Sequence, residues 1–334
     1  MSELAPQSVK PAKRFANVDL RAVAPFIALV ILLIIGAMVN PNVISLGNLA
    51  NVATRAAFIA IIALGATFVI SSGDLDLSVG SMVAFVASVM ILFMNSGVIA
   101  DPLMMIVAAC LLAMALGAAC GLVNGLLTTW GKLEPFIVTL GTMGIFRGLT
   151  TWLSQGGAIT LKSAEQQAIY RPVYFGSFLG FSIPIWAILI CTLIAAFILY
   201  RTRYGRHVVA VGSNREVARY SGISVDRVRT LAFVIQGLCV AIAVLLYVPR
   251  LGSTSATTGM MWELQAITAV VVGGTALKGG SGRVWGTICG AFILEFVGNI
   301  MLLSNFISEY LLGAIQGSII IIAMLVQRSL SRKG

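Results

Sequence analysis

Long apolar runs, separated by short clusters of charge, constrain the fold of this chain more than any other feature. Hydrophobic residues make up 59% of the sequence and charged residues only 10%, whereas soluble domains carry about 25% charged residues. A water-soluble core cannot bury so much apolar surface, and the mean hydropathy is +0.99. The sequence therefore predicts an all-α, polytopic bundle of membrane helices.

Ten apolar segments are candidates for membrane spans. They lie at 22–39, 53–71, 78–94, 103–127, 135–153, 183–200, 230–248, 264–277, 284–303 and 309–327. We interpret 22–327 as a single transmembrane domain between an N-terminal tail, 1–21, and a C-terminal tail, 328–334. The first segment has no small-residue cleavage site before Asn40 and Pro41, so it is interpreted as a retained span rather than a signal peptide.

The basic residues indicate how the spans are oriented. If the N-terminus is cytoplasmic, the two tails, the connection 128–134, the loop 201–229 and the turn 278–283 all lie on the cytoplasmic side. These segments hold 17 of the 22 Lys and Arg residues, as the positive-inside rule requires. The sequence therefore predicts that both termini are cytoplasmic, and the net charge of +10 reflects this topology rather than nucleic-acid binding.

The largest cluster of this basic charge lies in one loop, from Tyr200 to Thr230. It contains the arginines Arg201, Arg203, Arg206, Arg215, Arg219, Arg227 and Arg229. Charge alone favours a solvated loop that contacts anionic lipid headgroups. The alternative is a docking surface for a cytoplasmic partner.

Residues that could support metal, redox or nucleotide chemistry are scarce. The cysteines Cys110, Cys120, Cys191, Cys239 and Cys289 all lie in apolar segments, so we expect packing residues rather than disulfides or a metal site. His207 is the one histidine, which excludes imidazole metal clusters. No GxxxxGK[ST] motif occurs, and Lys278 lacks the glycines that would cradle a phosphate. We therefore expect no cofactor and no ATP hydrolysis in this chain.

Small residues recur at spacings that place them on one face of a helix. The sets are Gly117, Gly121 and Gly125; Gly144 and Gly148; Gly282, Gly286 and Gly290; and Gly313 and Gly317. Such ridges let helix backbones approach closely. They predict a tightly packed bundle.

Two segments predict broken or short helices. Around 71–80 the second span is interrupted, and Asp76 or Ser78 is expected to cap the third span. Around 271–283 an apolar run of about a dozen residues ends in glycine, short of the roughly 20 residues that cross a bilayer. A rough template aligns 63–67 with 272–275 and indicates a parallel internal duplication, an arrangement that points to a transport pathway.

Several motifs, in this order, carry a resemblance to a known family. They are Ser72-Gly73-Asp74-Leu75-Asp76-Leu77-Ser78-Val79-Gly80-Ser81, Pro135-Phe136-Ile137-Val138-Thr139-Leu140-Gly141-Thr142-Met143 with Arg147-Gly148, Glu263-Leu264-Gln265-Ala266-Ile267, Val272-Gly273-Gly274-Thr275 and Gly279-Gly280-Ser281-Gly282. Over about residues 45–325 the chain resembles the membrane permease of ribose-type ABC sugar importers. Asp74 departs from the family pattern. The family usually has a second glycine at this position, so Asp74 adds a charge to the turn beside Asp76.

The resemblance extends to the basic loop, where it favours docking to an ATPase over lipid contact. The matching residues are Gly205, Gly212, Asn214, Ala218, Gly222 and Ile223. We expect Asn214 to Tyr220 to form a short helix that Gly222 terminates. Such a helix would let an ATP-driven partner push on the sixth and seventh spans.

The family also implies partners and a location. A cytoplasmic ABC ATPase would bind ATP and magnesium, a periplasmic or tethered binding protein would deliver the substrate, and a second permease copy or a paralogue would complete the passage. The chain would lie in the bacterial inner membrane and admit a pentose, a hexose or a related polyol. Branched-chain amino acid, nucleoside and autoinducer-2 permeases have a similar architecture and remain alternatives.

Polar residues inside spans are costly and suggest where a substrate could pass. The candidates are Asp76, Ser78, Phe136, Thr139, Arg147 and Glu295. Asp76 has a simpler explanation as a helix cap, and Arg147 is expected to pair with an acid or reach water. For Glu295 the alternatives are the pathway, a hydrogen bond to Asn299 and a contact with a neighbouring subunit.

Two further classes of function remain open. An ion-coupled secondary transporter would use Asp74, Asp76 and Glu295 and would need no ATPase. A membrane enzyme would need paired catalytic acids or a His/Cys site, and neither pattern is present.

The docking interpretation makes a prediction about Gly222. We expect Gly222→Asp to abolish transport while leaving membrane insertion intact, because the substitution alters the end of the docking helix. Uptake by cells, membrane content of the variant and recovery of the ATPase with it measure the three effects. Normal ATPase docking by the variant would show that the loop assignment is wrong.

Overall fold

Helices account for most of the computed structural model, which describes residues 20–304 together with residues 311, 313–315, 317–319 and 321. The α-helices are α1 Leu20–Val39, α2 Leu46–Ser71, α3 Val79–Asn95, α4 Pro102–Thr129, α5 Pro135–Ser154, α6 Ala164–Tyr170, α7 Pro172–Phe175, α8 Ile183–Arg201, α9 Arg203–Ser213, α10 Arg215–Tyr220, α11 Val225–Leu251, α12 Trp262–Val272 and α13 Val284–Ser304. The predicted tails, 1–21 and 328–334, and the predicted tenth span, 309–327, lie wholly or largely outside the described residues.

Short strands form two small antiparallel pairs. They are β1 Ala158–Thr160 with β4 Ser253–Ser255, in which Ala158 lies opposite Ser255, and β2 Ser177–Phe178 with β3 Phe181–Ser182. A 3-10 helix, Pro41–Ile44, joins α1 to α2. These elements connect helices and leave the fold class all-α.

The other nine predicted spans each coincide with a helix, but their number as membrane spans is not confirmed. Six helices in the described part of the chain, α2, α4, α5, α8, α11 and α13, are long and apolar enough to cross a membrane. The apolar stretches Val23–Val39, Val79–Asn95 and Trp262–Val272 are shorter. An all-α membrane bundle is therefore established, and the count of ten spans is not.

α2 is the central helix of the bundle. Every residue from Ala56 to Ser71 is buried, and the helix packs against α8, α11, α12 and α13. A helix that is apolar around its whole circumference belongs inside a bundle. Its end at Ser71 is thus enclosed by other helices.

Two of the predicted glycine ridges bring helices together. On α4, a side chain at Gly117 would overlap the carbonyl oxygen of Gly237, and one at Gly121 would overlap that of Phe233 on α11. On α13, Gly286 lies against the backbone of Gly273 at the end of α12. Both contacts confirm the close packing that the small residues predict.

The same prediction is wrong for the ridge on α5. A Cβ atom at Gly144 or Gly148 would meet nothing within 4 Å, whereas the ridge at Gly313 and Gly317 lies in a part of the chain that is only partly described and stays a prediction. The reason is that α5 turns these glycines away from the helices it packs against. This face of α5 is open.

α2 ends in a tight capping motif that explains the first predicted break. Gly73 takes a left-handed backbone conformation with φ 81°, its N–H donates to Ile70 O at 2.9 Å, and the N–H of Asp74 donates to Val69 O at 3.1 Å. This pair of hydrogen bonds is the Schellman motif, which closes the last carbonyl groups of a helix and favours glycine at the left-handed position. The break is therefore a defined turn.

α12 ends in the same way. Gly274 has φ 87°, its N–H donates to Val271 O at 2.9 Å, and the N–H of Thr275 donates to Val270 O at 3.1 Å. The two breaks thus share a capping motif, which also ends many unrelated helices, so the parallel duplication stays a prediction. The sequence template was wrong in register, because 63–67 lies within α2 whereas 272–275 is the end of α12.

The open and packed glycines predict opposite effects of the same substitution. Gly121→Ala on α4 should lower the free energy of unfolding by about 1–3 kcal/mol, because the new methyl group overlaps the backbone of α11. Gly144→Ala on α5 should be neutral or slightly stabilising, because alanine favours helix more than glycine does. Thermal unfolding in detergent measures both. Equal effects of the two variants would contradict the packing described here.

Candidate functional site

The short helices α9 and α10 lie at one end of the bundle. We use the name basic end for α9, α10 and the two segments that follow the breaks, 72–78 and 273–283. The side chain of Thr202 accepts a hydrogen bond from the N–H of Gly205 at the start of α9. Gly205 itself lies against the carbonyl groups of Ile198 and Leu199, so it permits the sharp bend between α8 and α9.

α10 is the helix that the sequence predicts between Asn214 and Tyr220. The Asn214 side chain caps it by accepting from the N–H groups of Glu216 and Val217, both at 3.0 Å. Gly222, with φ 81°, ends it: the N–H of Ile223 donates to Ala218 O and that of Gly222 to Arg219 O, both at 3.0 Å. The predicted helix and its end are confirmed, and this is a third Schellman motif.

One face of α10 is buried and the other is open. Ala218 is 3% exposed, whereas Val217 is 60% exposed and Tyr220 90% exposed. Two large apolar side chains so exposed on a six-residue helix form a compact surface suited to contact with another molecule.

α9 joins the two breaks by backbone contacts. Gly212 lies so close to Ser71 O and Gly280 N that a Cβ atom would overlap both. The N–H of Gly280 donates to Ser71 O at 3.0 Å, and the Ser71 hydroxyl donates to Ser281 O at 3.0 Å. The ends of α2 and α9 and the turn before α13 thus form one tightly packed unit.

Asp74 is buried at the centre of the basic end and is paired with two arginines. Its side chain is completely buried, and its carboxylate lies 2.6 Å from Arg215 NH2 and 2.8 Å from Arg229 Nε. A charge removed from water needs such partners. Asp74 departs from the family pattern, and the structure shows how the turn accommodates it. Gly73 takes the left-handed backbone conformation, and Asp74 follows it.

Asp76 and Ser78 form a buried polar cluster with Asn124 of α4. Asp76 Oδ1 accepts from the N–H of Ser78 at 2.8 Å and from its hydroxyl at 2.6 Å, and Asn124 Nδ2 donates to Ser78 Oγ at 2.8 Å. The predicted capping of α3 is wrong in detail, because the Ser78 side chain makes no capping bond and Asp76 instead holds the turn before the helix.

Thr139 lies beside this cluster, whereas Phe136 faces outward. The Thr139 hydroxyl is buried and lies 3.4 Å from Leu75 O and 2.9 Å from Pro135 O. Phe136 is 54% exposed. Of the predicted pathway residues, Asp76, Ser78 and Thr139 are therefore brought together.

Arg147 lies elsewhere on α5. Its guanidinium donates to the carbonyl oxygens of Ala256 and Thr258, the latter at 2.6 Å, and it is attracted by Glu263. Arg147 thus holds the loop that precedes the short helix α12. Its hydrogen-bond partners in the described part of the chain are these carbonyl oxygens and not an acid, so the expectation that Arg147 pairs with an acid stays a prediction.

Glu295 is paired with Arg55 and not with Asn299. Glu295 Oε1 lies 2.9 Å from Arg55 Nε, and Asn299 hydrogen-bonds instead to Asn48 of α2 at 2.8 Å. The interpretation of a Glu295–Asn299 bond is wrong because the half-buried Arg55 of α2 is a charged and therefore stronger partner. The predicted pathway residues therefore lie in four separate places, and only the place around Asp76 holds more than one of them.

Sequence reasoning missed Arg229, Asn124, Arg55 and Glu263 as members of these groups. Each is separated from its partners by tens to hundreds of positions, so no local motif links them. A charged residue within an apolar span is still a usable signal, because such a residue needs a partner nearby. Arg55 and Glu295 meet that description.

Comparisons with known proteins find one family and several similar permeases. A model of the family described as the branched-chain amino acid transport system / permease component matches residues 48–324. The chain is 37% identical to the ribose import permease protein RbsC of Haemophilus influenzae, over 92% of this chain and 93% of that protein. It is 38% identical to RbsC of Bacillus subtilis, over 93% and 94%, and 32% identical to the D-allose transport system permease protein AlsC of Escherichia coli, over 92% and 91%. No solved structure matches.

The Asp76 cluster predicts how two substitutions differ. Asp76→Asn keeps an oxygen that can accept from Ser78 and should leave thermal stability nearly unchanged. Asp76→Leu leaves the buried N–H of Ser78 without an acceptor, which typically costs about 1–3 kcal/mol. Thermal unfolding in detergent distinguishes them. Asp101→Leu, which removes the exposed cap of α4, is the control for loss of an acidic side chain, and equal losses in the Asn and Leu variants of Asp76 would show that the charge itself is needed.

Proposed function

We propose that this chain, which belongs to the family of permease components of branched-chain amino acid transport systems, forms the membrane passage of an ATP-driven importer for a monosaccharide. The observation that carries the proposal is the similarity to ribose import permeases along more than nine-tenths of the chain. The chain is a multi-pass membrane protein and a transport subunit.

The relatives support a sugar as the substrate. The similar proteins named for ribose and for D-allose share a polyhydroxylated, uncharged type of substrate, so we assign a pentose, a hexose or a related polyol. Branched-chain amino acids, nucleosides and autoinducer-2 are less favoured.

Ion-coupled transport is also less favoured, because two of its three acids are engaged. Asp74 is held by two arginines and Glu295 by Arg55. To carry a proton or a sodium ion, either carboxylate would have to leave its arginine, and breaking such a pair is costly. An external energy source fits a chain with these pairings better than a proton or sodium gradient does.

The partners follow from the family. A cytoplasmic ABC ATPase would bind ATP and magnesium and hydrolyse the ATP, a periplasmic or tethered binding protein would deliver the sugar, and a second permease copy or a paralogue would complete the passage. The chain itself would hold no cofactor. We further propose ten spans, both termini in the cytoplasm and a location in the bacterial inner membrane.

The basic end gives the ATPase a place to act. We assign the contact to Gly205, Gly212, Asn214, Ala218, Gly222 and Ile223, which shape α9 and α10, with the exposed side chains of α10 as the touching surface. Because α9 packs against the end of α2 and against the turn before α13, movement of the partner would reach both segments that follow the breaks. ATP binding would thereby bias the inward-open and outward-open states.

The predicted pathway residues are proposed to have two roles. Phe136 and Arg147 lie on α5, whose outer face is open, and they are the candidates for direct sugar contact. Asp76, Ser78 and Thr139 form the buried polar cluster beside α5, and Glu295 pairs with Arg55 elsewhere in the bundle; these four would shape the passage.

Reconstitution tests the proposed function. The chain is co-expressed with the ATPase encoded by a neighbouring gene, and the complex is placed in liposomes. The binding protein is added, and uptake of radiolabelled ribose and D-allose is measured. We expect uptake that needs ATP and the binding protein and that a protonophore does not reduce. Uptake by the lone chain under an ion gradient would contradict the proposal.

The docking surface predicts a specific defect. Val217→Glu and Tyr220→Ala together should reduce recovery of the ATPase with the tagged chain at least tenfold, because they alter the two exposed apolar side chains of α10. Val98→Ala, at an exposed apolar residue of the opposite end of the bundle, is the control and should recover the ATPase normally. Normal recovery by the double variant would show that α10 is not the docking element.

A further inference from the structure

Asp74 occupies a special position relative to α2. Its N–H completes the capping motif by donating to Val69 O at 3.1 Å, so its backbone is fixed to the last turn of the helix. The side chain is therefore carried by α2 itself. Any group that holds the Asp74 carboxylate holds the end of the central helix.

Two arginines hold this carboxylate in different ways. Arg229, in the second turn of α11, donates through Nε to Oδ2 and through Nη2 to Oδ1, both at 2.8 Å, and its side chain is 9% exposed. Such a bidentate, buried pair has fixed geometry. Arg229 thus acts as a permanent structural partner.

Arg215 is the accessible partner. It is the first residue of α10, and its NH2 group donates to Asp74 Oδ1 at 2.6 Å and to Gly73 O at 2.9 Å. Its side chain is 42% exposed. It lines a polar cavity of about 380 Å³ between α10 and the turn that joins α4 to α5, together with Lys132, Glu134 and Arg219. A partner that displaces α10 therefore moves Arg215 directly.

We propose that Asp74 and Arg215 form the positioning contact through which displacement of α10 reaches the break between α2 and α3. This rests on the proposed function, since it assigns the transmission step within the same importer. Next to this contact, Leu75 and Asp76 lead directly into the polar cluster with Ser78 and Asn124.

The backbone contacts of α9 do not replace this link. Gly212 fixes the end of α9 against Ser71 and Gly280, but α10 begins after Asn214 at a change of backbone direction. Arg215 spans that change and reaches back to Gly73 and Asp74. A partner bound to α10 is consequently linked to α2 in two ways, through the ion pair of Arg215 with Asp74 and through the polypeptide backbone.

The test measures ATP hydrolysed per sugar taken up in liposomes that contain the complete complex. We expect Arg215→Gln to recover the ATPase in the wild-type amount but to raise this ratio at least fivefold, because hydrolysis proceeds without moving α2. Arg215→Lys keeps a cation within reach of Asp74 and should restore the ratio to within twofold of wild type. Arg227→Gln, an exposed arginine of the same loop, is the matched control and should leave the ratio unchanged.

Asp74→Asn provides a second measurement. It removes the negative charge that both arginines contact and should raise the ratio at least as much as Arg215→Gln does. The melting temperature should also fall, because Arg229 loses its buried anionic partner. If the Asp74→Asn variant does not assemble with the ATPase, the ratios measured for the Arg215 variants still test the proposal. A ratio within twofold of wild type for Arg215→Gln would overturn the proposal, whereas absence of ATP-driven sugar uptake by the wild-type complex would overturn the proposed function instead.

Discussion

Two helices of this chain, α2 and α12, end in largely buried turns at the basic end of the bundle, and the capping of their last carbonyl groups is the constraint on which the rest of the structure depends. Away from water, each backbone polar group must find a partner within the protein. α2 and α12 meet this requirement with the same motif, in which Gly73 and Gly274 take left-handed conformations and the next residue closes a hydrogen bond to the helix. The turns are therefore rigid. They provide firm surfaces against which other elements can pack.

α9 uses these surfaces, and its position follows from backbone fit rather than from charge. Gly212 meets the end of α2, and the turn at Gly280 lies between them. Charge then adds to this fit, because Asp74 would be an isolated buried carboxylate without Arg215 and Arg229. Backbone contact and ion pairing together make α2, α9, α10 and the turn before α13 one unit. That unit would give the proposed ATPase a surface connected to the interior of the membrane domain.

The sequence predicted the local features and missed most long-range pairings. The short helix near Asn214 was predictable because its capping residue and terminating glycine are neighbours in the chain. Arg229 was not assigned to Asp74 because 155 positions separate them, and no periodicity links such residues. The glycines of α5 were misjudged for a related reason: Gly144 and Gly148 have the same spacing as Gly117 and Gly121, and spacing does not reveal which face of a helix meets a neighbour.

The central claim is that α10 and the breaks move together, and distances between spin labels test it most directly. Labels at Ser221 and Lys278, both exposed, would be placed in a variant without the native cysteines and measured by double electron–electron resonance with and without trapped ATP. The account predicts an unchanged distance between Ser221 and Lys278, while the distance between the two Ser221 labels of paired permeases changes with nucleotide. A nucleotide-dependent change between Ser221 and Lys278 of the same chain would show that α10 slides over the breaks, and would contradict the account.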